Sequence, residues 1–312
     1  MSAGTGGAWG PTPAPIADVE RIVAAALAED APWGDVSSEA FVPADARITA
    51  RVVAREAGVL SGTAALEAAF RLVDPATEVT LHLPDGAALA PGAVVAAVAG
   101  PARSVLRAER VALNLAQRMS GIATATEAHV AAVRAGGGHA RVADTRKTTP
   151  GLRVLERQAV RDGGGHNHRH GLSDAVMLKD NHLAALGFGG EDAPGEELTR
   201  ALRAGLARLP HTVHVEVEVD RLDQLPAVLA AGVGTVMLDN FSLADLRSGV
   251  ELVAGRAVVE ASGGVSLETI GEIAATGVDV VSVGALTHSV RALDLGLDAV
   301  VDAADAPASG RR

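Results

Sequence analysis

The sequence contains no cysteine, and aromatic residues make up only 2% of it. Without cysteine there is no disulfide framework, no zinc-thiolate site, no iron–sulfur cluster and no cysteine nucleophile. With so few aromatics, the 48% of apolar residues must build a core from short aliphatic side chains. Charge interrupts every apolar run before it reaches the length of a membrane span. The opening MSAGTGGAWGPTPAPIADVE has neither a basic start nor a continuous apolar stretch, so it reads as a flexible leader over 1–15 and not as a secretory signal. These absences predict a cytoplasmic protein with no membrane partner. A formal net charge of −11 also argues against nucleic acid, because phosphate backbones select basic faces.

At 312 residues, the length suggests two modest domains or one barrel with an appendage. The apolar spacing predicts a helix over 16–29, and ARITARVVA and EVTLHLPDGAALAPGAVVAAVAG read as strands joined by turns. An N-terminal domain of antiparallel strands and helices is therefore expected over 16–126, including a long helix over 103–134 with a break at Gly121. After Gly138 the texture changes. The short apolar runs ARVAD, DAVMLK, VHVEVEV, TVMLD, AVVEAS and DVVSVG alternate with helix-length amphipathic segments, which predicts a parallel sheet or barrel over 127–300. A seventh run is sought between Arg153 and Gly165, GFGGEDAPGEE (187–197) reads as an exposed loop, and 301–312 as a flexible tail.

In a β/α barrel the chemistry gathers at the carboxyl ends of the strands. Here six strand ends carry polar or glycine signatures: Asp144–Lys147, Lys179–His182, Glu216–Glu218, Asp239–Asn240, Ser262–Gly264 and Gly284. One alone would read as a turn or a helix cap; six in phase point to a site. Arg146, Lys147, Arg169 and Lys179 supply fixed positive charge suited to carboxylates or phosphates. Glu218 and Asp239 form a carboxylate pair fit for Mg²⁺ or sugar hydroxyls. Ser262–Gly264 and Gly284 offer backbone N–H groups to a phosphate. Together these fit a ligand set of a polycarboxylate, a phosphate, a metal and a ribose. The weaker signals have plainer readings. His166, His168 and His170 lack further ligands at zinc spacing, and one of them reads as a donor to an anion. GVGTVM has too few glycines for a dinucleotide fingerprint and precedes a strand. Arg103, Arg107, Arg110 and Arg118 read by default as a solvated helix face.

The motifs ERVALNLAQRMSGIATAT, DTRKTTPGLRVLERQAVRDGGGHNHRHGLSDAVMLKDNH, VEVEVD, VMLDNFS, EASGGVS and VSVGALTHS, in that order and spanning roughly Leu27 to Leu297, resemble the quinolinate phosphoribosyltransferases. The resemblance implies an α/β protein with an N-terminal α/β sandwich and a C-terminal, TIM-like incomplete β/α barrel of about seven strands. It implies quinolinate and 5-phosphoribosyl 1-pyrophosphate (PRPP) as substrates, Mg²⁺ as cofactor, and a homodimer whose sites are shared between subunits. Arg110 matches the arginine that reaches the neighbouring subunit's site. Arg146, His168, Arg169 and Lys179 match the quinolinate-binding positions. Lys147, Glu218 and Asp239 match those that handle PRPP and Mg²⁺, while Ser262, Gly263, Gly264 and Gly284 match the phosphate cradle. The resemblance also gives the dense positive charge of Asp144–His182, with seven Arg or Lys residues, a small polyanion to bind. Two alternatives remain: a related phosphoribosyltransferase acting on another aromatic acid, and a phosphate-ligand sensor.

Overall fold

The computed structural model describes residues 13–188, 190 and 195–299. The chain divides into two compact units. One comprises residues up to Ala125, Thr149–Gly164 and the chain from Val290; the other comprises Thr126–Thr148 and Gly165–Ser289. The tail over 301–312, the first twelve residues of the leader and the middle of the 187–197 loop lie outside the described residues. Among the described residues no helix is long and apolar enough to cross a membrane.

The first unit begins with α1 (Ile16–Asp30), where Val19, Ile22 and Val23 recur at helical spacing and are buried. Next comes α2 (Val36–Phe41), capped by Asp35, whose Oδ1 accepts from the N–H groups of Ser37 and Ser38 at 3.1 Å each. The strands β1 (Arg47–Ala54) and β2 (Gly58–Val59) lead to α3 (Thr63–Val73), which buries Leu66, Ala69 and Phe70. A fully buried leucine or phenylalanine side chain contributes about 1.5–3 kcal/mol. Then follow β3 (Glu78–Leu81), β4 (Ala88–Leu89) and β5 (Val94–Pro101), with β5 antiparallel to both β1 and β3.

A 34-residue helix, α4 (Ala102–Ala135), comes next and runs unbroken through Gly121. The expected break is absent because the glycine serves a close approach. A Cβ there would lie 2.1 Å from the Arg291 carbonyl oxygen. The arginines of α4 are also not a purely solvated row. Arg103 Nε donates to Val42 O at 2.8 Å, Arg107 Nη2 to Ala31 O at 3.3 Å, and Arg118 Nη2 to the buried Glu156 Oε1 at 2.9 Å. Arg110 is exposed.

The chain then makes β6 (Arg141–Ala143) in the second unit and contributes α5 (Arg153–Asp162) to the first. The seventh strand sought over 153–165 is therefore mostly a helix, because Leu155, Ala159 and Val160 are buried at helical spacing. What remains of it is one parallel bridge, Ala143 to His166. The second unit continues with β7 (Val176–Leu178), α6 (Asp180–Ala185), α7 (Gly195–Leu206), β8 (Val215–Val219), α8 (Leu225–Ala231), β9 (Thr235–Asp239), α9 (Leu243–Val253), β10 (Val258–Ser262), α10 (Ile270–Ala274), β11 (Val280–Ser282) and α11 (Ala285–His288). All neighbouring pairs are parallel, in the order β6-β11-β10-β9-β8-β7. This is an incomplete β/α barrel with helices between its strands. Last, β12 (Leu295–Ala299) pairs antiparallel with β1 and completes the four-stranded sheet of the first unit's α/β sandwich, in the order β12-β1-β5-β3.

Candidate functional site

Parallel strands bring all their carboxyl ends to one mouth of the barrel, and there a cavity of about 380 Å³ opens. Arg146, Lys147, Lys179, Glu218, Asp239 and Ser262 line it, with His168 and Arg169 beside them. Eight of the twelve residues expected from the sequence thus meet at one place. Gly263 and Gly264 follow Ser262 directly. Gly284 lies so close to Lys147 that a Cβ would stand 3.0 Å from the Lys147 Cδ. Arg110 belongs to the other unit and is not a lining residue.

Local bonds fix the backbone of Lys147. Lys147 N–H donates to Thr145 Oγ1 at 3.0 Å, and Lys147 O accepts from Thr287 Oγ1 at 2.8 Å. Arg146 Nε is buried with no hydrogen-bond partner among the described residues. Burial lowers the Arg169 pKa and the neighbouring Arg146 guanidinium lowers it further, against the pull of Glu216 and Asp174. Two guanidinium groups held this way repel each other, and an anion between them relieves the repulsion. At β10 the chain turns through Gly263 (φ 88°) and Gly264 (φ 60°). A Cβ on Gly263 would meet Asn240 Oδ1 at 2.2 Å, so only glycine lets this turn close onto Asn240.

The carboxylates stand at the carboxyl ends of β8 and β9. Glu218 Oε2 lies 2.5 Å from Lys179 Nζ, and Asp239 Oδ2 accepts from Asn240 Nδ2 at 2.6 Å. Both also line a second cavity of about 500 Å³, together with Asp180, Asp220 and Arg221. This gathering of hard oxygen donors beside cations suits a charged, polyhydroxylated ligand and an oxygen-seeking divalent ion.

Deeper in the lumen the predicted His168 meets two carboxylates to which sequence reasoning gave no separate role. His168 Nε2 lies 3.0 Å from Glu216 Oε2 and 3.5 Å from Glu260 Oε1. The His168 N–H donates to Asp144 Oδ1 at 2.7 Å, and Asn167 Nδ2 donates to Asp144 Oδ2 at 2.6 Å. Asp144, fully buried, thus anchors the segment bridged to β6. Among the described residues His168, Glu216 and Glu260 are the one group whose donor atoms lie close enough to share a metal ion; His166 and His170 are not part of it. Burial pushes the Glu260 carboxyl up, and Glu216 beside it pushes it further. The available signal was VEVEV itself. Its glutamates alternate as on a half-exposed strand, yet a strand inside a parallel sheet has no solvent face, so they had to point into the lumen. A third cavity, of about 420 Å³, lies at the amino-end mouth and includes Arg141, His166 and His214.

Comparison with known proteins agrees along nearly the whole chain. Residues 35–120 match the N-terminal domain of quinolinate phosphoribosyl transferase and residues 122–298 its C-terminal domain. The chain is 45% identical over 282 residues to the nicotinate-nucleotide pyrophosphorylase (carboxylating) of Mycobacterium leprae, covering 88% of this chain and 94% of that protein. It is 40% identical over 270 residues to the probable nicotinate-nucleotide pyrophosphorylase (carboxylating) of Bacillus subtilis, covering 86% and 89%. The crystal structure of NadC from Streptococcus pyogenes matches with a TM-score of 0.85 at 40% identity, covering 93% of this chain and 100% of that one. The nicotinate-nucleotide pyrophosphorylase structure from Francisella tularensis matches at 0.84 and 35% identity, covering 94% and 100%.

Proposed function

The chain belongs to the quinolinate phosphoribosyltransferase family, and from that membership we infer that it transfers the phosphoribosyl group of PRPP to quinolinate with loss of CO₂. The products are nicotinate mononucleotide and pyrophosphate, and the reaction belongs to de novo NAD biosynthesis. The observation that carries the reading is the convergence of Arg146, Lys147, Arg169 and Lys179 on one barrel mouth of a chain with net charge −11. Two adjacent ring carboxylates and a pyrophosphate need such a cluster; a neutral ligand does not.

In this reading Arg146, Arg169 and Lys179 orient the ring carboxylates, with His168 beside them, so that the ring nitrogen faces the sugar C1. That nitrogen forms the new bond as pyrophosphate leaves with the old bonding pair, through an oxocarbenium-like transition state. Positioning and charge stabilisation do the work, with no protein nucleophile. The quaternised ring nitrogen then stabilises the electron pair left on ring carbon 2 as the adjacent carboxylate departs as CO₂, and that carbon takes up a proton. Lys147 and the Ser262, Gly263, Gly264 and Gly284 backbone hold the donor's phosphates. Glu218 and Asp239, hard oxygen donors at the ends of adjacent strands, would hold a Mg²⁺ ion, which when bound would supply charge neutralisation to the leaving pyrophosphate. Arg110, exposed on α4, serves the site of a partner subunit in a homodimer. Both substrates are polyanions that cross no membrane unaided, which supports a cytoplasmic enzyme.

The test is incubation with quinolinate, PRPP and Mg²⁺, followed by assay of pyrophosphate and CO₂. Release of both in equal amounts is expected. Turnover with another aromatic acid but not with quinolinate would move the assignment to a related transferase, and binding without turnover would make the protein a sensor.

A further inference from the structure

Directly beneath a cluster built for anions, the lumen carries two buried carboxylates. Glu216 on β8 and Glu260 on β10 are each 4% exposed. Burial and mutual repulsion both disfavour the charged forms of two neighbouring carboxyls, and the negative charge they keep opposes the binding of a polyanion above. No step of the proposed chemistry uses them. Their placement demands a compensating role, and their contacts with His168 identify one.

Both carboxylates reach the same atom, His168 Nε2, at 3.0 and 3.5 Å. The other ring nitrogen, Nδ1, accepts the Arg169 N–H at 2.8 Å. An accepting Nδ1 carries no proton, so the ring's proton sits on Nε2 and points at the glutamates. The ring is gripped from both sides, while Asp144 Oδ1 holds the backbone N–H of the same residue. Rotating the imidazole would release the Arg169 N–H. Arg169 in turn projects its guanidinium into the cavity with Arg146 and donates from Nη1 to Ala175 O at 3.0 Å. Glu216 has a second effect here. Its charge counters the repulsion that Arg146 exerts on Arg169.

We propose that Glu216 and Glu260 are positioning residues for quinolinate. Acting through His168, they lock the His168–Arg169 step so that the Arg169 guanidinium meets a ring carboxylate, and the charge of Glu216 keeps Arg146 and Arg169 together before the ligand arrives. The inference rests on the quinolinate reading and extends it to two residues that touch no reacting atom.

The test is a double-mutant cycle on the full chain. Glu216→Leu, Glu260→Leu and the matching Gln variants are compared alone and combined with His168→Ala, with KM for each substrate and thermal unfolding measured in parallel. Each Leu variant is expected to raise the quinolinate KM about 10-fold or more while the PRPP KM moves less than about twofold. Gln keeps an acceptor for the His168 Nε2–H and is expected to recover most of that loss at Glu216, whose Oε2 lies 3.0 Å from that nitrogen, and less at Glu260, which acts on the ring by charge from 3.5 Å. In the His168→Ala background the Leu substitutions should add less than about twofold, because the group they act through is gone. Equal rises in both KM values, or full additivity with His168→Ala, would overturn the proposal. If a Leu variant unfolds, the Gln variants complete the same cycle. Wild-type protein that turns over both substrates while the cycle is additive removes this inference alone; wild-type protein with no quinolinate turnover removes the functional reading and this inference with it.

Discussion

Lys179 works in two directions at once, because its Nζ faces the cavity and also lies 2.5 Å from Glu218 Oε2. The cationic residues should therefore respond differently to truncation. Arg146→Ala and Arg169→Ala are expected to weaken quinolinate by about 1.5–3 kcal/mol each, the worth of a charge-assisted bond, with little change for PRPP. Lys179→Ala should weaken both substrates, since it also strips Glu218 of its partner. Separate titrations of the two ligands check this, and equal losses across all three variants would contradict the assignment. Asp162 gives a prediction about stability. It accepts from Ser61 Oγ at 2.6 Å, and burial raises its pKa to about 6, with Asp85 adding to the rise. Its unfolded value is about 3.9. A carboxyl raised in the folded state is stabilising when protonated, so its contribution is present below about pH 4 and is lost as pH rises through about 6. Asp162→Asn keeps an acceptor for Ser61 and should flatten that slope. Calorimetry at pH 7.5 is expected to show the variant unfolding a few °C higher than wild type, and a pH slope between 4 and 6 that the substitution leaves unchanged would show that it arises elsewhere than at Asp162.

Glycines within helices separate two effects that composition alone merges. Gly205, exposed near the end of α7 with nothing within 4 Å of a Cβ, should tolerate alanine and gain up to about 1 kcal/mol. Gly121→Ala in α4 should instead destabilise, because its Cβ would collide with the Arg291 carbonyl. Paired chemical denaturation of the two variants checks the opposite signs. Gly263→Ala should impair PRPP use with the fold retained, for want of space beside Asn240 and because of its φ of 88°. The difference between Gly121 and an ordinary helix glycine was invisible in the sequence, since the neighbour that matters lies 170 positions away. Six parallel strands were legible because each buried run is short, apolar and followed by a helix-length pattern. The seventh was misplaced because its expected span carries the helical spacing of Leu155, Ala159 and Val160, leaving only His166 to pair. The charged residues at the strand ends were legible by phase with the strands. Glu216 was legible only as part of its strand end and Glu260 not at all, since a carboxylate one turn of the pleat below the mouth looks like any polar residue on a strand.

For the whole molecule, the proposed sharing of Arg110 between subunits has a direct consequence. Arg110→Ala and Lys179→Ala subunits should each be nearly inactive, yet hybrid dimers formed by co-expression should regain one intact site of the two. Activity of purified hybrids against that of each parent decides this, and verified hybrids with no recovery would leave Arg110 serving its own chain or none. The pairing of β12 with β1 bears on how the molecule is made. The two strands stand about 240 residues apart, and at about 5–20 residues per second a ribosome needs roughly ten to fifty seconds to traverse that distance. For that interval β1 has β5 on one side and an open row of backbone N–H and C=O groups on the other, the kind of edge that recruits foreign strands. Nascent chains stalled before Val290 should therefore be the species that aggregates or binds chaperones, and slowing translation of the barrel should lower the yield of native protein more than slowing the final residues does.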